Sequence, residues 1–143
     1  MDEVIFIDPE TMKTVHEKKK PIRLNSKYFT TTTGMSYYDG ILNYPKYHKA
    51  NKGLKGTIKM ITPDQYLVLC AQNRTKFTTP FQEQQGIYNP LVTQYVEQSL
   101  HGSKMPIPVI DKVHNEQEGR HRAMVAKQLG LKKIPVLFVE ETK

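Results

Sequence analysis

The chain contains a single cysteine, Cys70, in 143 residues. One thiol cannot form an intrachain disulfide, and it cannot supply a zinc site that needs several cysteines. No apolar run is long enough to span a bilayer, and the opening MDEVIFIDPETMK lacks the basic start and long apolar segment of a secretory signal. Internal repeats and low-complexity linkers are also missing. The composition therefore predicts one domain with a modest core, and cytoplasmic residence is the default expectation.

Acidic residues are nearly missing from much of the N-terminal half. From Lys18 to Lys59 the chain has ten lysines or arginines and one acid, Asp39, and its overall net charge is +7. Such a segment can form a surface that faces phosphate groups, or it can be a face that is only solvated. The expected partner is a nucleotide or a nucleic acid and not a membrane, and the oligomeric state stays open. The tyrosines in this segment could stack on bases or pin it to the core, and they are Tyr37, Tyr38, Tyr44 and Tyr47.

The N-terminal and C-terminal parts of the chain differ in pattern. Residues 1–56 predict an irregular, basic segment that packs on or flanks the core, whereas residues 57–143 predict an ordered domain. Within the first segment, VIFIDPETMK indicates one short strand and a turn at Asp8-Pro9. The threonine run 30–33 favours extended structure, and no helical period follows it. The segment is therefore expected to be poor in strands.

Regular elements are predicted from residue 57 onward. A capping box of Thr62 and Gln65 starts a helix in which Cys70 packs into the core, and Gly130 ends the last helix. Residues 73–88 indicate a long loop or lid. Helices alternating with strands in this way predict an α+β domain. The predicted elements are strands over 57–61, 105–113 and 134–140, the last of them central, and helices over 62–72, from Asn89 to a stop at Gly102, and over 119–129.

The segment EGRHR, at the start of the last predicted helix, is the densest polar cluster of the sequence. A helix N-terminus carries partial positive charge, so two arginines there are unfavourable unless an anion lies between them. Free N–H groups bind anions, a glycine lets a ligand approach the backbone, and guanidinium groups match phosphate oxygens. We therefore expect Gly119, Arg120, His121 and Arg122 to bind phosphate, with the Arg122 side chain pointing at the ligand and not at the core.

Other roles for the charged residues near this cluster stay open. The arginines could instead pair with Glu116, Glu118 or Glu140 at an ordinary surface helix. In a catalytic version, His121 would transfer a proton and Glu118 would position water or a metal. No metal site held by the protein alone is predicted, although Glu116 or Glu118 could hold a Mg²⁺ ion that a nucleotide brings. A divalent metal at His114 is a less favoured alternative.

Four segments, in order, resemble the ParB/sulfiredoxin superfamily: NPLVTQYVEQSLHG, MPIPVIDKV, EGRHRAMVAKQLG and LKKIPVLFVE. The resemblance covers residues 89–140 and implies a small mixed sheet with flanking helices. In this superfamily the corresponding helix N-terminus holds the phosphates of a nucleoside triphosphate, which is CTP in ParB proteins and ATP in sulfiredoxins and free-serine kinases. The residues that fall on that motif are Gly119, Arg120, His121 and Arg122.

Two departures limit what the resemblance implies. Sulfiredoxins have a catalytic cysteine where this chain has Arg120, so sulfiredoxin activity is not expected. Partition proteins continue into a helix-turn-helix domain, whereas this sequence stops three residues after Glu140, so a complete partition protein is not expected. The remaining expectation is a ParB-like nuclease or NTPase, phage- or plasmid-encoded, that uses a nucleoside triphosphate with Mg²⁺ in the host cytoplasm. The alternative is a non-catalytic virion or host-interaction protein that retains the fold.

If the basic segment from Lys18 to Lys59 contacts nucleic acid, binding should weaken steeply with salt. Each phosphate that a cation neutralises releases counterions, so log affinity for duplex DNA should fall with log salt by about 0.9 per phosphate contact. Fluorescence anisotropy with a random-sequence duplex at several salt concentrations measures this slope. Binding that is absent at low salt, or that salt does not change, would leave the segment as a solvated face.

Overall fold

A four-stranded mixed sheet with helices on both faces forms the centre of the protein. In this computed structural model, the described residues are 3–7, 11–20, 22–44, 53–73 and 89–142. The α+β class predicted from the sequence is confirmed. In chain order the elements are β1 (Glu3–Ile7), β2 (Thr14–Lys18), α1 (Ser36–Asn43), β3 (Leu54–Ile61), α2 (Pro63–Asn73), α3 (Asn89–Leu100), β4 (Val109–Asp111), β5 (Glu116–Glu118), α4 (Arg120–Gln128) and β6 (Ile134–Glu141).

Strand β6 lies inside the sheet, whose strand order is β3-β6-β4-β5. It pairs antiparallel with β3, from Leu54↔Glu141 to Ile61↔Ile134, and parallel with β4. Every residue from Ile134 to Val139 is buried, as expected of a strand covered on both faces. The prediction of a central strand here is confirmed, and α4 with its flanking segments provides the crossover between the parallel strands β4 and β6.

Successive side chains of β6 enter two different hydrophobic cores, because neighbouring residues of a strand point to opposite faces. Val136 and Phe138 belong to the larger core, under α2, α3 and α4. Leu137 and Val139 belong to the smaller core, under α1. The buried side chains that the helices contribute are Tyr66, Leu67, Cys70, Val92, Ala123, Val125 and Ala126 in the larger core, and Tyr38, Ile41 and Leu42 in the smaller one.

Two helix ends have the hydrogen bonds that their sequences predict. At the start of α2, the N–H of Thr62 donates to Gln65 Oε1 (2.8 Å), and the N–H of Gln65 donates to Thr62 Oγ1 (3.0 Å). After α4, Gly130 has a φ of +76°, and the N–H of Leu131 donates to the carbonyl oxygen of Ala126 (3.0 Å). The capping box and the glycine stop are therefore confirmed.

The N-terminal half is more ordered than the sequence pattern predicts. Strands β1 and β2 form an antiparallel hairpin, α1 packs on the sheet, and β3 begins at Leu54, three residues before the predicted start at Thr57. The predicted boundary at residue 56 thus falls inside a strand. The expectation of an irregular, strand-poor segment is wrong for these elements. Strands β1 and β2 pair with each other, whereas α1 and β3 are ordered by contacts with residues far along the chain.

The threonine run before α1 is held by a carboxylate of this helix and does not form a strand. Thr33 donates to Asp39 Oδ1 through its backbone N–H (2.6 Å) and its hydroxyl (2.8 Å), and the Thr32 hydroxyl donates to Asp39 Oδ2 (2.8 Å). Asp39 lies in the first turn of α1, where a carboxylate is favourable. The N-cap residue, Met35, has no side-chain cap, so the usual local signal of a helix start is missing.

The strand predicted over 105–113 is interrupted. Pro106 and Pro108 have no N–H to donate, and the ladder of β4 is confined to Val109–Asp111. Before it, Met105 forms an isolated parallel bridge with Phe29. After it, the chain turns back and residues Glu116–Glu118, which were predicted to lie in a loop, form β5 and pair antiparallel with β4.

Some sequence predictions fall outside the described residues. They are the turn at Asp8-Pro9, the role of Tyr47 with the part of the basic segment over 45–52, and nearly all of the loop over 73–88. Asn73 itself is described and is the last residue of α2. Within the described ranges, no helix is both long and apolar enough to cross a membrane.

Replacing Gly56 with alanine should destabilise the fold, because α1 approaches β3 closely at this position. A Cβ there would lie 2.8 Å from Ile41 Cγ2 and 2.9 Å from Leu137 Cδ1. Overpacking of this kind costs about 1–3 kcal/mol of unfolding free energy, which urea denaturation measures. Thr57→Ala, on the exposed face of the same strand, is the control and should cost less. A Gly56→Ala protein as stable as the wild type would contradict the packing of α1 on β3.

Candidate functional site

Gly119 is required by packing. It precedes α4 with a φ of +129°, a region that side chains rarely allow. A Cβ on this residue would lie 2.5 Å from the Cβ of Pro108 and 2.8 Å from its Cα. The prediction from the sequence was that this glycine lets a ligand approach the backbone. The structure explains it by the approach of Pro108, so the glycine is needed whether or not a ligand binds.

Arg122 forms a two-pronged ion pair with Glu118. Its Nη1 donates to Glu118 Oε1 (3.0 Å), its Nη2 donates to Glu118 Oε2, and Nη2 also lies 3.4 Å from the carbonyl oxygen of Ile107. The Arg122 side chain is 12% exposed and that of Glu118 is 42% exposed. The buried Arg122 Nε has no hydrogen-bond partner among the described residues. The pair ties the end of β5 to the first turn of α4.

This ion pair changes the reading of two predicted site residues. The conflict between Arg122 and the helix dipole is relieved by a carboxylate of the protein itself, which was the alternative left open for the arginines. The Arg122 side chain is mostly buried against Glu118 and Ile107, and the expectation that it points at a ligand stays a prediction. Glu118 was expected to position water or a metal, yet both of its oxygens accept hydrogen bonds from Arg122.

Arg120 and His121 occupy the first turn of α4 and are half-buried. Burial lowers the pKa of His121 below the usual 6.5, and the charges of Arg120 and Arg122 lower it further, against a smaller opposing effect of Glu118. At neutral pH the imidazole is therefore uncharged and able to accept a proton. Gly119 supplies no side-chain cap, and the first turn contains no acidic residue.

A cleft of about 230 Å³ lies beside Arg122, between the C-terminal end of α3 and the loop that follows it. Lys104 and Ser103 line the cleft from that loop. Neither residue was predicted from the sequence to belong to a site, because an isolated Ser-Lys pair forms no recognisable motif. The other polar side chains that line it are Tyr95, Gln98 and Ser99.

A second polar cluster surrounds the turn between β4 and β5. The Asp111 side chain is fully buried. Its Oδ1 accepts the N–H groups of Val113 (2.9 Å) and His114 (3.0 Å), and its Oδ2 accepts the Tyr38 hydroxyl (2.9 Å) and lies 2.8 Å from His114 Nδ1. The Tyr38 hydroxyl also contacts Glu116 Oε2 at 3.0 Å. Burial, followed by these carboxylates, raises the pKa of Tyr38.

The last residue of α2 joins this second cluster to the larger core. The amide nitrogen of Asn73 donates to the carbonyl oxygens of Asp111 (3.0 Å) and Glu116 (2.8 Å). Glu116 was considered as a ligand for a nucleotide-bound Mg²⁺, and the structure places one of its oxygens on Tyr38. Within the described parts of the chain, no group of three or more His, Cys, Asp or Glu side chains is arranged to hold a metal ion.

Comparisons of the chain with protein-family models, with curated proteins and with solved structures found no match. The α+β class is shown by the coordinates, whereas membership of the ParB/sulfiredoxin superfamily stays a prediction that the sequence segments carry. Function must therefore be argued from the side chains themselves.

Replacing Glu118 with glutamine should destabilise the protein, because a mostly buried guanidinium would lose its charged partner. Leaving a buried group of this kind poorly paired costs about 1–3 kcal/mol of unfolding free energy. Urea denaturation measures the loss, and Glu141→Gln, at an exposed residue of β6, is the charge-matched control. Equal stability of the two variants would show that the ion pair contributes little to the fold.

The lowered pKa of His121 predicts a specific loss of stability in acid. The unfolded chain binds a proton at this residue more readily than the folded chain, so protonation favours unfolding as the pH falls below about 6.5. Replacing His121 with glutamine should reduce the difference in unfolding free energy between pH 7.5 and pH 5.5. The comparison with the wild type removes the contribution of the other histidines. An unchanged difference would contradict the assigned environment.

Proposed function

We propose that this protein is a phosphate-binding domain whose ligand is a nucleotide or a nucleic-acid backbone, held at the N-terminal end of α4. The observation that supports the proposal best is the start of this helix. Its first turn has no side-chain cap and no acidic residue. The N–H groups of the first turn of a helix have no partners within the helix and attract anions.

Basic side chains from two parts of the chain lie at this helix start and on the cleft beside Arg122. Arg120 belongs to the first turn of α4, and Lys104 lies on the neighbouring cleft. Ser103 adds a hydroxyl group that can donate to a phosphate oxygen. In this proposal the phosphates contact Arg120, the first-turn N–H groups and Lys104, and the rest of the ligand extends along the cleft.

Arg122 has a different part in the proposal from the one that its sequence position indicated. Its terminal nitrogens hold Glu118, which also balances its charge. Arg122 therefore lines the cleft without offering its guanidinium group to phosphate. Glu118 acts in turn as a positioning residue for Arg122. A Mg²⁺ ion would be brought by a nucleoside triphosphate, and Glu118 could bind it only by giving up the ion pair.

The catalytic form of the proposal relies on His121. A neutral imidazole in the first turn of α4 can accept a proton from a water molecule that attacks a phosphorus atom, as a ParB-like nuclease or NTPase would require. The competing proposal is a non-catalytic phage virion or host-interaction protein. The engagement of Glu118 with Arg122 favours the competitor, because this carboxylate is then a poor base and a poor metal ligand.

Calorimetric titration with ATP, CTP, GTP and a short DNA duplex, each with and without Mg²⁺, tests the proposed binding. Replacing Arg120 or Lys104 with alanine should weaken binding about ten- to a hundredfold, since each removes a charge-assisted contact worth roughly 1.5–3 kcal/mol. Lys132→Ala, at an exposed residue beyond the C-terminal end of α4, should bind as the wild type does. A wild-type protein that binds none of these ligands would overturn the proposal.

Turnover assays then separate the catalytic form from the binding form. Purified protein with Mg²⁺ should release inorganic phosphate from a nucleotide or cleave DNA if the catalytic form is correct, and His121→Gln should remove that activity while retaining ligand binding. Binding that persists without any turnover would identify the non-catalytic alternative.

A further inference from the structure

His114, His16 and His101 each use Nδ1 in a hydrogen bond, and each has a different acceptor. His114 pairs with the carboxylate of Asp111 at 2.8 Å, His16 with the carboxylate of Glu3 at 2.9 Å, and His101 with the backbone carbonyl of Glu97 at 2.8 Å. A proton on Nδ1 leaves Nε2 as the nitrogen with a free electron pair. The reactivity of Nε2 can therefore be compared among these three histidines of the same protein.

His114 differs from His16 in the burial of its carboxylate partner. The Asp111 side chain is fully buried, whereas that of Glu3 is 43% exposed. Three further hydrogen bonds, from Tyr38 and from two backbone N–H groups, hold Asp111 in place. The His114 ring itself remains 48% exposed, close to the 55% of His16. The two rings are therefore about equally accessible, and only His114 is oriented by a fixed carboxylate.

We propose that His114 is a nucleophile that accepts acyl groups from neutral carboxylic esters or thioesters. A buried aspartate that holds the Nδ1 proton orients the imidazole and stabilises the positive charge that develops when Nε2 attacks. This site is separate from the phosphate site proposed at α4 and does not depend on it.

The charges around His114 disfavour an anionic substrate. The carboxylates of Asp111 and Glu116 both accept a hydrogen bond from the Tyr38 hydroxyl, and Asp111 also contacts the His114 ring. Carboxylates repel phosphate and carboxylate substrates. The neighbouring Lys112 reaches over the Phe138 ring, 5.6 Å from its centroid. That ring belongs to the larger core, on the face of the sheet opposite to Tyr38.

Tyr37 provides an apolar wall for the substrate. Its ring meets the His114 ring edge-on, with a centroid separation of 6.1 Å and an interplanar angle of 78°. The Tyr37 side chain is itself partly open to solvent. An acyl or leaving group that approaches Nε2 can therefore pack against an aromatic surface.

The reaction has two steps. In the first, the Nε2 electron pair attacks the carbonyl carbon, an N–C bond forms, and the C–O or C–S bond breaks as the leaving group departs with its electron pair. Asp111, through the Nδ1 proton, stabilises the acylimidazolium. In the second, water attacks the same carbon, the carboxylic acid leaves, one proton passes to solvent, and neutral His114 is restored.

Labelling with diethyl pyrocarbonate, an acyl donor, tests the proposal in the full-length protein. Peptide mass spectrometry follows each histidine separately, and His114 should be labelled at least about tenfold faster than His16 and His101, the factor that one lost charge-assisted hydrogen bond represents. Asp111→Asn should bring the rate of His114 down to that of His16 and leave the rate of His16 unchanged. Equal labelling of the three histidines would overturn the proposal.

Two further measurements distinguish orientation by Asp111 from a merely structural role. Imidazole ¹⁵N chemical shifts should show the proton of His114 on Nδ1 in the wild type and a mixture of tautomers in Asp111→Asn. If that variant does not fold, hydrolysis of p-nitrophenyl acetate decides: His114→Gln should remove most of the turnover of the wild type, and the matched variant His16→Gln should retain it. Turnover that is equal in these two variants would overturn the proposal.

Discussion

The burial of strand β6 on both faces is the constraint on which the rest of the structure depends. Ile134 to Val139 are buried without interruption, and each large apolar side chain among them stabilises the fold by about 1.5–3 kcal/mol. A strand buried in this way needs hydrogen-bonding neighbours on both edges and helices on both faces. Strands β3 and β4 satisfy the edges, and the position of β4 then determines where the β4–β5 hairpin passes into α4.

The EGRHR segment combines residues with different tasks. Gly119 permits close packing on Pro108, and Arg122 joins Glu118 in an ion pair that holds the hairpin on the helix. Exposed ion pairs contribute roughly 0–1 kcal/mol to folding stability. Because this guanidinium is mostly buried, losing its partner should cost more stability than that. Arg120, His121 and the N–H groups of the first turn of α4 are the part that the proposal assigns to a ligand. A phosphate site here would thus be built on structural contacts that exist without the ligand.

The turn between β4 and β5 is bonded to one helix on each face of the sheet. Asp111 accepts a hydrogen bond from Tyr38 of α1, and Asn73 of α2 donates to the backbone of both strands. A buried carboxylate with several donors is well satisfied and rigid. The same rigidity that positions β5, and with it Glu118, holds the ring of His114 in one orientation. One buried aspartate therefore holds both the turn and the ring of His114.

The sequence by itself determined the elements whose signals are local. The Thr62–Gln65 capping box, the Gly130 stop and the apolar run of β6 involve neighbours in the chain, and the structure has each of them. Only the tertiary structure decided that α1 forms. This helix has no side-chain cap, and it is stabilised by packing on β3 and by the hydrogen bonds that Thr33 donates to Asp39. The candidate site divides in the same way. The sequence was enough to predict a polar cluster at a helix start. Three of its contacts depend on the tertiary structure and on no local pattern: the ion pair of Arg122 with Glu118, the packing of Pro108 on Gly119 and the hydrogen bond of Tyr38 with Asp111.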